Sequence, residues 1–383
     1  MKFKAIMASV IVSTMAILSG FIGVNTDTIT TEAQAAAQTS ATGMALLEVS
    51  TGRVLYQKNM HTRRAPASTT KILTAIAVIE NCGDLSKLHK IPDSAVGVEG
   101  SSIYLERGEE MSVRDLLYGL MLQSGNDCAE ALAIITSGSK EKFAELMNIT
   151  AKKAGALDSN FVTPHGLDAE GHMTTAYDLA KISAYALKNE EFAKIAKTQK
   201  HSAPWQGRDY DRVITNKNRL LRSFEGCDGV KTGFTRKAGR TFVSSATRDG
   251  MQVVCAVLNC GPMFEDCARL MDSAFNEFNM VEVLIKGAKI GEVEVLEARV
   301  AKVACGVGQP YRYPLRRGEE DKISTRPITP VPLTAPIAVG DETGSVEILL
   351  DNEVIGESKL YAIESAESLT MWDRLKDIAG KWS

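Results

Sequence analysis

Pro66-Ala67-Ser68-Thr69-Thr70-Lys71-Ile72-Leu73-Thr74-Ala75-Ile76-Ala77-Val78-Ile79 is the stretch on which the reading of this chain turns. From Ile72 to Ile79 only Thr74 interrupts an all-round apolar surface, the mark of a helix buried on every side. The pattern predicts a helix over 69–81 with Ser68 at its N-terminus. Positions 68 and 71 then share a face one turn apart, so the Lys71 amine reaches the Ser68 hydroxyl. The apolar flanks leave that amine little route to water. Burial disfavours the ammonium form, and a neutral lysine can accept the hydroxyl's proton. The helix N-terminus adds N–H groups and a positive dipole end to stabilise an attacked carbonyl oxygen. Standing alone, however, Ser-x-x-Lys is equally a helix cap beside a snorkelling surface lysine.

Two more motifs follow, Ser124-Gly125-Asn126 between helical patterns and Lys231-Thr232-Gly233 before apolar strand residues. The first supplies an uncharged hydroxyl and carboxamide, suited to relaying a proton and holding a peptide group. The second fits an edge strand beside a cleft. Its cation and hydroxyl suit a carboxylate, and its glycine lets a substrate backbone come close. Either motif alone reads as a turn.

Further helical patterns run over 112–123, 127–136, 140–154 and 175–188, with a last one near 266–277. Strands are expected at 44–49 and 54–56, and again at 239–248 and 252–259 around an Arg248-Asp249-Gly250 hairpin turn. Strands at both ends with helices between predict one sheet closed by sequence-distant segments under a helical layer. Residues 281–363 alternate in short apolar pairs (Val293, Val295; Val300, Val303; Val346, Ile348, Leu350) and predict a small all-β domain.

The ends carry their own signals. Lys2 and Lys4, an apolar run over 5–24 and the small residues Ala33-Gln34-Ala35 make 1–35 an export signal, or, uncleaved, an anchor. On a helical wheel Met371, Trp372, Leu375, Ile378, Ala379 and Trp382 share one face, which either lies in a membrane interface or docks on the β domain.

Of the 383 residues, 44% are hydrophobic and 24% charged, with a net charge of -3. That excludes disordered, collagenous and multi-span classes, and the lack of a polybasic surface excludes a nucleic-acid partner. The seven cysteines contain no Cys-x-x-Cys pair and mostly lie in apolar runs, as buried thiols do. His165 and His172 stand in no metal-binding pattern, and no histidine has a fixed relation to Ser68. Neither a metal nor a Ser-His-Asp triad is expected.

Together, Ser68-x-x-Lys71, Ser124-x-Asn126 and Lys231-Thr232-Gly233 in this order resemble the active-site set of penicillin-binding proteins and serine β-lactamases. The words around them, Glu99-Gly100-Ser101-Ser102, His165-Gly166-Leu167-Asp168 and Asp228-Gly229-Val230-Lys231-Thr232-Gly233-Phe234-Thr235, resemble the low-molecular-weight serine D-alanyl-D-alanine carboxypeptidases. The resemblance implies an α/β (α+β) transpeptidase-like fold, an antiparallel sheet with helical layers. It implies a catalytic domain over 36–278, a β domain over 279–363 and a membrane-associating helix over 364–383. It also implies removal of the terminal D-alanine from peptidoglycan stem pentapeptides outside the cytoplasmic membrane, without cofactor, and acylation by β-lactams.

In that scheme Ser68 forms the acyl-enzyme, Lys71 deprotonates it and Ser124 shuttles the proton. Asn126, Lys231, Thr232 and Gly233 bind substrate, and the Phe234 N–H joins that of Ser68 as an oxyanion donor. Phe234 stands where some members have histidine, and the family's carboxylate-binding arginine has three unranked candidates, Arg236, Arg240 and Arg248. The rivals are a β-lactamase, for which no Glu-x-x-Leu-Asn lies between 127 and 230, and a non-catalytic β-lactam sensor, which would carry several spanning helices.

Overall fold

The computed structural model describes residues 39–328 and 332–380, with side chains described to 376. The export segment, Ile378, Ala379 and Trp382 lie outside the residues so described. These residues form two compact units, one reaching residue 274 except for the turn at 249–251, the other comprising that turn and the chain from 275.

The first unit opens with β1 (Gly43–Glu48), apolar at Met44 to Leu47 and buried at all six positions, and β2 (Val54–Lys58). A single 3-10 turn, Ala67–Thr70, leads into α1 (Lys71–Asn81). Ser68 therefore sits in the tighter turn ahead of the helix. The relation to Lys71 survives because residues three apart eclipse one another in 3-10 geometry.

A small hairpin, β3 (Leu88–Lys90) with β4 (Glu110–Ser112), carries the long loop 91–109. Then come α2 (Val113–Tyr118), α3 (Asn126–Ser137), α4 (Lys140–Lys153), α5 (Ala176–Leu187) and α6 (Glu190–Lys197). The helix expected over 112–123 passes into a π-helical turn at Gly119–Gln123 and ends at Ser124, whose φ of 65° is left-handed. A second hairpin, β5 (Lys200–Ala203) with β6 (Arg212–Thr215), and the short α7 (Leu220–Ser223) precede β7 (Cys227–Thr235), β8 (Gly239–Arg248), β9 (Met251–Leu258) and α8 (Met263–Glu277).

The sheet order is β2-β1-β9-β8-β7, so the two ends of the unit do close one sheet and β7 forms its edge. Against it packs a continuous core that includes Ile72, Ile76, Leu120, Leu132, Phe143 and Val254. The hairpin turn is confirmed by left-handed Asp249 and Gly250 (φ 48° and 76°). α6 and the short hairpins had no recognised sequence signal.

The second unit contains β10 (Phe278–Leu284), β11 (Lys289–Leu296), β12 (Lys302–Val307), β13 (Tyr311–Arg316), β14 (Ile323–Ile328), β15 (Leu333–Thr334), β16 (Glu342–Leu350), β17 (Glu353–Ala362) and α9 (Met371–Gly380). Six strands form a sheet in the order β14-β16-β17-β12-β11-β15 over a core of Val293, Cys305, Val346, Ile348 and Leu360. The period-two expectation fails at two places. A register shift between Ile348 and Leu349 turns Leu349 inward in place of Leu350, and Val300 lies outside the strands and is exposed. All seven cysteines are unpaired and all but Cys82 are buried, as their apolar settings indicate.

Candidate active site

The nucleophile's turn is tied down on both sides. The Pro66 carbonyl accepts from Thr69 Oγ1 (2.6 Å) and from Thr241 Oγ1 on β8 (3.0 Å), while Ala67, fully buried, takes a left-handed φ of 51°. Thr70 Oγ1 donates to the Ala67 carbonyl at 2.8 Å and meets His172 Nε2 at 2.9 Å. His172 Nδ1 accepts from the Val162 N–H, so this ring, held neutral by burial at a pKa of about 4, pins the 160s loop to the turn. The two histidines weighed for a metal site thus have structural work. Among the described residues there is no cluster of metal-binding side chains.

Gly166 fits that loop beneath the turn. Its φ is +85°, and a Cβ there would lie 1.9 Å from the Ala67 carbonyl oxygen. The close approach brings the His165 carbonyl to Lys71. Lys71 Nζ, fully buried, lies 2.6 Å from that oxygen, 2.7 Å from Asn126 Oδ1 and 3.1 Å from Ser68 Oγ. Burial lowers its pKa to about 7, the Lys217 charge adding to the effect and Asp127 opposing it. A neutral amine has two N–H groups and one lone pair. The carbonyl and the carboxamide take the two N–H groups, leaving the lone pair for the Ser68 hydroxyl proton.

Asn126 faces inward. Its Oδ1 takes Lys71 and its Nδ2 donates to the Glu99 carbonyl at 2.5 Å, so it holds the base where a substrate contact was expected. Next to it the buried Asp127 carboxylate accepts from Ser102 Oγ and from the N–H groups of Ile103 and Leu105, fastening the 91–109 loop over the site.

Lys231 is also inward and almost wholly buried, its Nζ donating to the Thr232 carbonyl at 2.9 Å. Burial and then the nearby Lys71 pull its pKa well down. Ser68, Ser124, Thr232, Gly233 and Phe234 line one cleft of about 290 Å³ with Ser101, Lys217, Arg240 and Met263. Lys217, whose Nζ donates to Ser101 Oγ at 3.1 Å, is the exposed cation at the cleft that sequence reasoning missed. Its setting, Asn216-Lys217-Asn218, has no signal beyond polarity. Of the three arginine candidates Arg240 lines the cleft, whereas Arg248 bonds Asp272 and stacks on Phe224. A larger cavity of about 450 Å³ lies between α4 and residues 161–165 and contains none of the motif residues.

Gly233 brings the edge strand against the nucleophile's turn. A Cβ on it would fall 2.9 Å from the Ser68 nitrogen and 3.0 Å from that of Thr69. Backbone cannot yield as a flexible side chain can, so Gly233→Ala is expected to push β7 off the turn. Penicillin acylation should drop about 10²-fold, the scale of an ångström's misplacement. Stopped-flow labelling measures it, and a rate within threefold or so of wild type would remove the close-packing argument.

The family model described as D-alanyl-D-alanine carboxypeptidase matches residues 29–261, and that of the penicillin-binding protein 5 C-terminal domain matches 278–368. The chain belongs to the D-alanyl-D-alanine carboxypeptidase family. It is 33% identical to the D-alanyl-D-alanine carboxypeptidase DacF of Bacillus subtilis over 88% of this chain and 89% of that one. It is 32% identical to DacC of Escherichia coli, over 87% and 86%. Among solved structures, penicillin binding protein 5 of Haemophilus influenzae superposes with a TM-score of 0.72 at 28% identity, covering 86% of this chain and 98% of that one. This carboxypeptidase therefore has the penicillin-binding fold with a C-terminal β domain, and the serine acyl-enzyme chemistry and penicillin reactivity of its family. None of the described residues lining its cleft is acidic.

Proposed function

We propose that Ser68 Oγ attacks the carbonyl between the two terminal D-alanines of a peptidoglycan stem peptide while Lys71 Nζ takes its proton. The supporting observation is the single geometry at Lys71: full burial, two acceptors that occupy its N–H groups, and the Ser68 hydroxyl 3.1 Å away. The N–H groups of Ser68 and Phe234 receive the oxyanion. Ser124 passes the proton to the leaving amine, the terminal D-alanine departs, and water then cleaves the acyl ester with Lys71 again as base. The departing carboxylate is held by the Thr232 hydroxyl and by Lys217 at the cleft wall, with Lys231 behind them; Asn126 orients Lys71. The stem peptide runs from Thr232 along β7 toward Thr235.

Mass spectrometry of diacetyl-Lys-D-Ala-D-Ala incubated with the enzyme should find loss of one alanine, beside penicillin turnover slower by orders of magnitude. Rapid penicillin hydrolysis with an untouched peptide would select the lactamase.

The enzyme works outside the cytoplasm, where its family's substrate is. We attribute its retention there to α9. Arg374 of that helix pairs with Glu297 at 2.9 Å and Asp373 with Arg299 at 3.1 Å, so the polar side faces the β unit. Met371 and Trp372 are 79% and 74% exposed. An apolar face turned outward argues against docking on the β domain and suits a membrane interface. No described helix is long and apolar enough to cross a membrane. Deleting 366–383 from the signal-cleaved enzyme should move it from the membrane pellet to the supernatant with unchanged activity on soluble peptide; continued pelleting would refute the anchor.

A further inference from the structure

Two loops meet beside the cleft, the 91–109 loop and the 204–211 tip between β5 and β6. They are laced by Arg212 to Glu109 (2.7 Å, both buried), Arg208 to Glu106 (3.2 Å), and the Glu110 N–H to Gln206 Oε1 (2.8 Å). Arg212 also donates to the Tyr104 carbonyl at 3.3 Å and lies 4.4 Å over the Trp205 ring. Trp205 in turn meets Tyr210 edge-on at 5.9 Å. The laced loops thus carry two exposed tyrosines, Tyr104 and Tyr210, 75% and 59% exposed.

Tyr104 is held in this position against its own backbone preference. Its φ is +62°, a conformation that bulky residues rarely adopt. Its N–H donates to Ser102 Oγ at 2.7 Å, and that hydroxyl donates to the buried Asp127. The network that fastens the loop thus also fixes a strained backbone bearing an exposed ring, and such strain points toward function. Ser101, which lines the cleft and accepts from Lys217, is three residues away, at most about 11 Å of chain.

We propose that Tyr104 and Tyr210, backed by Trp205, form a stacking platform for the sugar rings of a peptidoglycan glycan strand. The inference rests on the carboxypeptidase reading for its choice of polymer. Charge selects the occupant. Arg208 and Arg212 are committed to Glu106 and Glu109, and Asp209 and Asp211 stand exposed on the same tip, so the surface is neutral to acidic. It repels an anionic lipid surface or nucleic acid but suits an uncharged ring, whose C–H faces pack on aromatic faces and whose hydroxyls donate to carboxylates. Holding a glycan strand keeps the enzyme on an insoluble polymer between turnovers.

The test is co-sedimentation of the full signal-cleaved chain with particles of chitin, an insoluble, uncharged and peptide-free polymer of β-1,4-linked N-acetylglucosamine. Wild type should pellet with them. Tyr104→Ala/Tyr210→Ala should lose about tenfold or more in affinity, as removal of exposed aromatic anchors does, while the double Phe variant keeps most of it. All three should trim diacetyl-Lys-D-Ala-D-Ala equally, because neither tyrosine touches the reacting atoms. That assay also separates the two readings, since failure to trim would sink the carboxypeptidase and leave the sedimentation result to be judged alone. Three outcomes would overturn the platform: wild type failing to bind chitin, binding to peptide-bearing peptidoglycan alone, or an Ala variant that binds as wild type does. Loss of vesicle binding in the Ala variant, with glycan binding intact, would assign the patch to membrane instead and equally refute the proposal.

Discussion

Lys71→Ala is expected to slow acylation of Ser68 by labelled penicillin by about 10³-fold, within the range assigned to a positioned general base. Among the described residues Lys71 carries the amine in hydrogen-bond contact with that hydroxyl. His165 contributes its backbone carbonyl, its ring being depressed to about 3 chiefly by burial, and Asn126 cannot accept a proton. Removing the amine leaves Asn126 Oδ1 and the His165 carbonyl without that donor, which costs about 1–3 kcal/mol for each group left unsatisfied. It also relieves a buried amine, so the net change in stability is smaller than the change in rate. Thermal unfolding followed beside the labelling separates the two. A folded Lys71→Ala enzyme that acylates at the wild-type rate would remove lysine from the mechanism.

Gly166→Ala is expected to be the most damaging single methyl in the catalytic unit. The added Cβ would lie 1.9 Å from the Ala67 oxygen and 2.6 Å from its carbonyl carbon, on a residue that also needs φ of +85°. Ala67 cannot retreat, being fully buried and braced by Thr70 through His172. The loop must therefore lift, taking the His165 carbonyl from Lys71. Backbone strain with overpacking gives about 3 kcal/mol or more of destabilisation. That corresponds to a fall in Tm of about 6–12 °C for a unit of this size. Calorimetry checks it, and an unchanged Tm would mean the loop is far softer than its contacts imply.

Much of the catalytic arrangement was legible because its chemistry is local in sequence. Ser68 and Lys71 had to share a face whether their turn was α-helical or 3-10, and Lys231-Thr232-Gly233 had to lie on an extended strand. Where the inference fell short, the causes are physical. The His165 carbonyl is a main-chain group that no residue type announces, and the inward turn of Asn126 follows from the approach of Lys71 and Glu99 out of other segments. Lys217 reaches the cleft only because two hairpins and an ordered loop meet there. Lys231 reads as a cation by residue type, and only packing reveals that it is buried beside a second amine. In the β unit, one register shift exchanged Leu350 for Leu349, which alternation along a single strand cannot foresee.

The account rests on an amine that is uncharged when serine attacks. Its most direct test is the rate of Ser68 acylation by penicillin against pH, with the modified serine mapped by peptide mass spectrometry. Lys71, brought down from 10.5 to about 7 by burial, is neutral above that value and protonated below it. The rate should therefore level off above about pH 8 and fall close to tenfold per unit of pH as the solution is made more acid than 7. A rate that stays flat from pH 5 to 9, or that climbs only as pH approaches an ordinary lysine's 10.5, would contradict the account.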